Sequence, residues 1–256
     1  MRIGFVGTGV ITKAIVVGLV RSNLRFEHIA LSPRNAAIAA ELAALDARVK
    51  VCTSNQEVLD TSNVICIAVI PQIVEDVLRE LRFNAEHHVI TFVPGTSIDK
   101  LHRIVFPAAR VARAIPLPAV ADRRGSTAIY PPDDIARSIF SALGEAVEVT
   151  SEYQFDALHA VTATMATFYA VLESQAAWLT KQGLSYDAAR AFLSEYCVGL
   201  AHETTRTSQS FTEMINGLMT PGGLNEQLHA ELSSARAYDH YGNALDRIFA
   251  RVQGST

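Results

Sequence analysis

Two short stretches of the chain hold residues whose types and spacing can do chemistry. The first is GFVGTGVITKA, residues 4–14, in which Gly7 and Gly9 flank Thr8 between an apolar run and a helical one. At a strand-to-helix turn Gly7 permits the tight bend and Gly9 lets a pyrophosphate reach the backbone. The N–H groups of Val10 and Ile11 and the helix dipole then face its charge. Thr12 stands where such turns carry a third glycine. The second stretch is LMTPGGLNEQL, residues 218–228, where Pro221, Gly222 and Gly223 interrupt sequence that is helical on both sides. On residues alone two readings of it stay open. It is a helix–helix turn capped by Thr220, or a helix start stripped of side chains so that its N–H groups hold an anion.

A dinucleotide turn needs a parallel sheet behind it, and the first half of the chain has the pattern for one. RIGFVG, HIALSP, VKVCT, NVICIAV, HVITFV, ARVARAI and GSTAIYP read as short strands, with ITKAIVVGLVRS, AAIAAELAAL and PQIVEDVLRELR helical between them. Apolar strands alternating with helices predict an α/β fold, a Rossmann-type doubly wound domain over residues 1–150. From Ser151 the pattern turns wholly helical, predicting an all-α domain over 151–256. Its opening run to Gln182 lacks Gly and Pro and reads as one long helix, and Ser185 is placed to cap the next. The second strand ends in LSPRN, without the acid that holds the ribose hydroxyls of NAD. Ser32 and Arg34 are donors there, and Arg34 can fork onto a 2′-phosphate, so NADP(H) is expected ahead of NAD(H).

The chain has 256 residues, enough for a sizeable core, and its net charge of -4 offers no field for nucleic acid or an anionic membrane. Cys52, Cys66 and Cys197 are scattered without a CxxC pair, and His202-Glu203 lacks a second His at metal spacing. No metal site and a reducing compartment are therefore expected. Lys13 breaks the apolar N-terminal run, and no other stretch is read as reaching membrane-spanning length without charge, so the expected location is cytoplasmic. The helical half carries apolar residues on more than one face, which predicts a homodimer.

Taken together, these stretches resemble pyrroline-5-carboxylate reductase, the last enzyme of proline synthesis. The glycine motif opens the chain at the same place. AVIPQ, residues 68–72, looks like the family's Ala-Val-Lys-Pro-Gln, and VPGTSIDKL stands where the family has an Ala-Gly-Ile-Ser loop. RAIPLPA occupies the place of Arg-Val-Met-Pro-Asn-Thr-Pro-Ala, and MTPGG that of Thr-Ser-Pro-Gly-Gly-Thr-Thr. The matches run in order from residue 3 to about 228. The resemblance implies a Rossmann domain followed by a helical dimerisation domain, with some members assembling further. It implies NADPH-dependent reduction of a cyclic imine carboxylate, pyrroline-5-carboxylate or a close analogue. By resemblance Ala68, Val69, Pro71, Gln72 and Gly95 join Gly7, Thr8, Gly9, Val10, Ile11, Ser32 and Arg34 at the cofactor. Thr162, Thr164, Met165, Thr220, Gly222, Gly223 and Leu224 are then expected at the substrate. The N–H groups of the Pro-Gly-Gly turn would hold the carboxylate, with Asn225 beside the reacting nitrogen. A β-carbon at Gly223 is expected to block that approach.

The chain departs from the family chiefly in the substrate half. The paired threonines after the glycines are Leu224 and Asn225, and the Ser-Gly-Ser-Gly-Pro-Ala-Tyr helix opening becomes Thr162 to Phe168 with Met165 in place of a glycine. Ile70 replaces the family's lysine, and Leu117 sits in a loop one residue shorter. Such losses suit an alternative reading, a non-catalytic NADPH-binding or sensing protein on the same fold. A β-hydroxyacid dehydrogenase would need a Lys and an Asn on the first interdomain helix, and residues 151–180 contain neither. Imine reduction asks less of side chains, because an iminium carbon is already activated and positioning supplies much of the rate.

Overall fold

The computed structural model describes residues 1–254. They form two compact units, one of Met1–His159 together with the chain from Arg251 onward, the other of Ala160–Ala250. The first unit is a Rossmann-type α/β domain. Its strands are β1 (Arg2–Val6), β2 (His28–Leu31), β3 (Val49–Val51), β4 (Val64–Ile67), β5 (His88–Thr91), β6 (Arg110–Ile115), β7 (Ser126–Tyr130) and β8 (Glu145–Glu148). They lie in the order β3-β2-β1-β4-β5-β6-β7-β8. The first six are parallel, β7 runs against β6, and β8 runs with β7.

Helices α1 (Val10–Val20), α2 (Ala36–Ala43), α3 (Asn55–Thr61), α4 (Val74–Arg79), α5 (Ile98–Ile104) and α6 (Asp134–Ser141) cover the sheet. The two-residue period of the strands divides the core in two. Ile3 and Phe5 point into a cluster with Ile15, Leu19, Leu42 and Phe140, and so sit against α1, α2 and α6. Val6, Ile65 and Ile67 point the other way, to Leu59, Leu78 and Leu101 on α3, α4 and α5. Both faces are covered, which is why the strands read as continuous apolar runs. The seven strands expected from sequence are present. β8 was not anticipated, because Glu-Ala-Val-Glu is too short and too charged to stand out at a partly exposed sheet edge.

The helical part comprises α7 (Glu152–Thr162), α8 (Met165–Lys181), α9 (Tyr186–Arg206), α10 (Phe211–Leu218), α11 (Leu224–Ser234) and α12 (Ala237–Val252). The change of pattern expected near residue 150 follows the end of β8, but the compact units divide later, after His159. The reason is a buried arginine. Arg113 on β6 holds Glu152 at 2.7 Å and Asp156 at 3.2 Å and lies over the ring of Phe155, so the first turns of α7 belong to the sheet. The single long helix expected over 151–182 is interrupted. Ala163 and Thr164 donate to carbonyls three residues back, and the Thr164 hydroxyl also bonds Val161 O at 2.8 Å, replacing the four-residue ladder locally. The last expected run likewise splits at Arg236, whose φ is 56°.

The stretch Glu152–Lys181 is also 30 residues long and contains an 18-residue window of mean hydropathy 1.2, which passes a test of length and composition for crossing a membrane. Between Asp156 and Glu173 its run without charge is only the 16 residues 157–172, short of a membrane span. In the second unit the buried apolar cluster is small, with Ala176, Ala189 and Leu193 at its centre. Trp178, Phe192 and Phe211 stay more than half exposed, at 60%, 64% and 74%.

Gly18 shows how tightly the first unit closes on α1. A β-carbon there would overlap the carbonyl oxygen of Val120, in the 3-10 turn Pro118–Asp122, and approach Leu143 Cδ2 to 2.7 Å. In an open helix Gly→Ala gains about 1 kcal/mol of helix propensity. Here the overlapping atom is backbone and cannot rotate away, and overpacking of this kind costs about 1–3 kcal/mol. Gly18→Ala is therefore expected to destabilise, and a denaturant midpoint at or above wild type would contradict this packing.

Candidate functional site

The glycine turn forms at the carboxyl ends of β1 and β4, where the strand order reverses. In open α/β sheets ligands bind at that switch point. Gly7 has φ +104°, and a β-carbon on it would lie 2.5 Å from the carbonyl oxygen of Ala68. Only glycine lets β1 and the end of β4 approach this closely. The turn is tied on three sides. The Gly7 N–H donates to Ser32 Oγ at 2.9 Å, the Thr8 hydroxyl donates to Ser32 O at 2.7 Å, and the Thr12 hydroxyl donates to Gly7 O at 2.7 Å. Thr12, in the place of a third glycine, is a fully buried lock on the turn.

Gly9 is different. It is the N-cap of α1 without a side-chain cap, and nothing lies within 4 Å of the position a β-carbon would take. The first N–H groups of a helix have no intrahelical acceptor, so an open, uncapped start is a cradle of the size and polarity for a pyrophosphate. Val10, at 72% exposure, leaves the helix mouth uncovered, and Ile11 is half-buried.

Gly7, Thr8, Gly9, Arg34, Ala68 and Val69 line one cleft of about 430 Å³, as their sequence positions suggest. Asn35, Ala36, Ile70 and Ile73 complete its wall. Asn35 was overlooked although it has a visible signal, being the capping residue of α2, with Oδ1 accepting from Ile38 N. Arg34 is exposed and has no ion pair among the described residues. Pro71 and Gln72 are exposed on the adjoining 3-10 turn Pro71–Ile73 and do not line the cleft. Gly95 lines a different cleft, described below.

Ser32 requires a correction. It was expected as a donor to the cofactor, yet it is fully buried. Its hydroxyl accepts the Gly7 N–H and contacts Thr8 Oγ1 at 3.0 Å, so it is used up in shaping the turn.

In the second unit the link between α10 and α11 also differs from expectation. Gly222 has φ +70° and Gly223 is the N-cap of α11, again without a side-chain cap. The N–H groups of Gly222 and Gly223 already have acceptors within the turn. Gly222 N–H donates to Glu226 Oε2 at 2.7 Å, and Gly223 N–H donates to Thr220 O at 2.8 Å. Asn225 Nδ2 donates to Leu218 O at 3.2 Å, tying the helix start back to the end of α10. A β-carbon at Gly223 would meet Thr220 O at 2.8 Å, so an alanine there strains the turn itself before any ligand arrives. The free donors expected at Gly222 and Gly223 are thus absent, because a turn this tight satisfies its own amides. Leu224 is 86% exposed, Met165 45%, and Thr164 is turned onto the carbonyl of Val161.

Comparison with known proteins agrees with this layout. Residues 2–95 match the family model described as NADP oxidoreductase coenzyme F420-dependent, and residues 152–254 match that of pyrroline-5-carboxylate reductase dimerisation. A pyrroline-5-carboxylate reductase of Methanosarcina acetivorans is 26% identical over 98% of this chain and 96% of its own length. The structure of a pyrroline-5-carboxylate reductase from Coxiella burnetii superposes with a TM-score of 0.86 at 24% identity, covering 99% of this chain and 98% of that one. That of the Plasmodium falciparum pyrroline carboxylate reductase with NADP bound gives 0.84 at 19% identity, over 100% and 98%. With the dinucleotide-type turn at one end and the dimerisation match over nearly all of the helical half, the chain is similar to the pyrroline-5-carboxylate reductases along its length.

Proposed function

We propose that this protein is an NADPH-dependent reductase of a cyclic imine carboxylate, pyrroline-5-carboxylate or a close analogue. The observation that carries the reading is one chain holding both an open, uncapped helix start at Gly9 and a glycine-opened helix start at Gly223. The cofactor, when bound, supplies the hydride. The chain's own residues do the rest. Backbone amides at Gly9, Val10 and Ile11 hold the pyrophosphate, and Arg34, free of any carboxylate, takes the 2′-phosphate. The exposed amides of Leu224 and Asn225 at the start of α11 receive the substrate carboxylate with the help of the helix dipole. Asn225 keeps its Oδ1 free of partners among the described residues, so it can accept the N–H of a protonated ring nitrogen. A second copy of the chain covers the exposed Trp178 and Phe192, because so few side chains are buried within the helical unit that it cannot keep such a surface in water.

Two tests follow from the cleft. Gly9 has φ −106° and ψ −165°, which alanine adopts freely, and its methyl would enter empty space. Gly9→Ala should keep the wild-type melting temperature yet lose NADPH affinity in calorimetry. Arg34→Ala should narrow the preference for NADPH over NADH, since a charge-assisted contact contributes about 1.5–3 kcal/mol. Equal affinity of wild type for the two cofactors would remove the role given to Arg34.

Glu226 adds a test of the substrate. Its carboxylate sits on the Gly222 N–H, beside the amides assigned to the substrate, and so repels a second carboxylate. Glu226→Gln should lower KM for pyrroline-5-carboxylate by about two- to fivefold, the scale of an exposed charge interaction. KM for the uncharged ring 1-pyrroline should not move. An equal shift for both imines would mean that no substrate carboxylate is bound there.

A further inference from the structure

The first unit carries a second cleft, of about 340 Å³, beside β6 and the loop that leaves β5. Gly95, Ser97, Arg113, Glu152 and Asp156 are among its lining residues. Arg113 is 3% exposed, and its guanidinium is divided between two acids, Nη1 to Glu152 Oε1 at 2.7 Å and Nη2 to Asp156 Oδ1 at 3.2 Å. Asp156 is joined to the sheet through Arg113. Glu152 does more, because the same Oε1 accepts the N–H of Ile98 at 3.3 Å. One carboxylate oxygen therefore joins β6, the start of α7 and the first residue of α5.

Ile98 ends the loop Pro94-Gly95-Thr96-Ser97. At the other end of that loop the Val93 N–H donates to Thr91 Oγ1 at 3.2 Å. Between these two ties Gly95 takes φ +72°, with nothing within 4 Å of where its β-carbon would be. Its bare backbone faces open space at the carboxyl end of the sheet. On the cofactor reading above, on which this inference rests, the 2′-phosphate goes to Arg34 after β2 and the pyrophosphate to Gly9 after β1. The other mononucleotide then lies across the ends of β4, β5 and β6. The Gly95 loop borders that half.

We propose that Glu152 is a positioning residue, which holds the Gly95 loop in the shape that receives the nicotinamide half of the cofactor. It does so by accepting the Ile98 N–H while its ion pair with buried Arg113 fixes the acceptor in place. Neither end of the cofactor that binds at Gly9 or Arg34 depends on it.

The sharpest variant is Ile98→Pro. It deletes the donated N–H and leaves the Glu152–Arg113–Asp156 cluster whole. Proline suits the first position of a helix, and Ser97 before it, at φ −68° and ψ 156°, already has the extended backbone that a following proline requires. Calorimetry would compare NADPH with 2′,5′-ADP, which carries the adenosine half alone. Binding of NADPH should weaken about three- to tenfold, the scale of one hydrogen bond, while that of 2′,5′-ADP changes by less than about twofold. Glu152→Gln, which weakens the same link through loss of charge, should act in the same direction by a smaller factor, and it decides the matter should the proline variant not fold. Parallel weakening of both probes, or unchanged NADPH affinity, would overturn the proposal. Wild type that binds neither probe would instead overturn the cofactor reading itself, and the role of Glu152 with it.

Discussion

The close approach of Gly7 to the backbone of Ala68 is the constraint on which the first unit depends. It brings β1 and the end of β4 together where the strand order reverses, and it leaves room for no side chain. Such contact puts polar backbone groups out of reach of water, and each must find a partner. The Gly7 N–H finds Ser32 and its carbonyl finds Thr12, so β2 and α1 are drawn to the same point. The helix start at Gly9 is left open because everything behind it is already satisfied. The shape of the cleft comes from saturation behind the turn, and its capacity for an anion from the lack of saturation in front.

The same accounting gives the opposite result at the Pro-Gly-Gly link. There Glu226, Thr220 O and Leu218 O accept from the Gly222 and Gly223 amides and from the Asn225 side chain, so the glycines' own donors are used within the turn. Glu226, one residue into the first turn beyond Asn225, sets the electrostatics of the helix start, because its carboxylate lies on the Gly222 N–H. The start still has its dipole, but an internal anion sits against it. Charge at the link therefore shapes this helix start as much as space does.

Arg113 links these levels within the first unit. Few groups cost more to bury than a guanidinium, and its burial is made tolerable by two carboxylates from one helix. Those carboxylates lie one helical turn apart, at i and i+4, so both reach the same strand. The result is a helix whose first turns are part of the sheet, and an Ile98 amide, at the end of the Gly95 loop, held by the first of those acids.

Much of this was legible in the residues. Apolar runs separated by helical periods point to a parallel sheet, since strands covered on both faces are mostly apolar. Gly7 and Gly9 could be located from spacing alone, and the missing acid after β2 needs no structure to be noticed. The sequence could not say which way a hydroxyl or a carboxylate turns. Ser32 reads as a ligand in a string and is a buried strut in space, because its partner Gly7 lies twenty-five positions away. Gly222 and Gly223 read as free donors, but whether an amide is free depends on acceptors that only the folded turn brings near. The strut at Glu152 was invisible for the same reason, as its two partners stand 39 and 54 residues distant and meet only when β6 and α5 are placed against α7. Local pattern determines which elements form; the partnering of polar groups across elements is decided by tertiary contact, and the details of the site rest on that partnering.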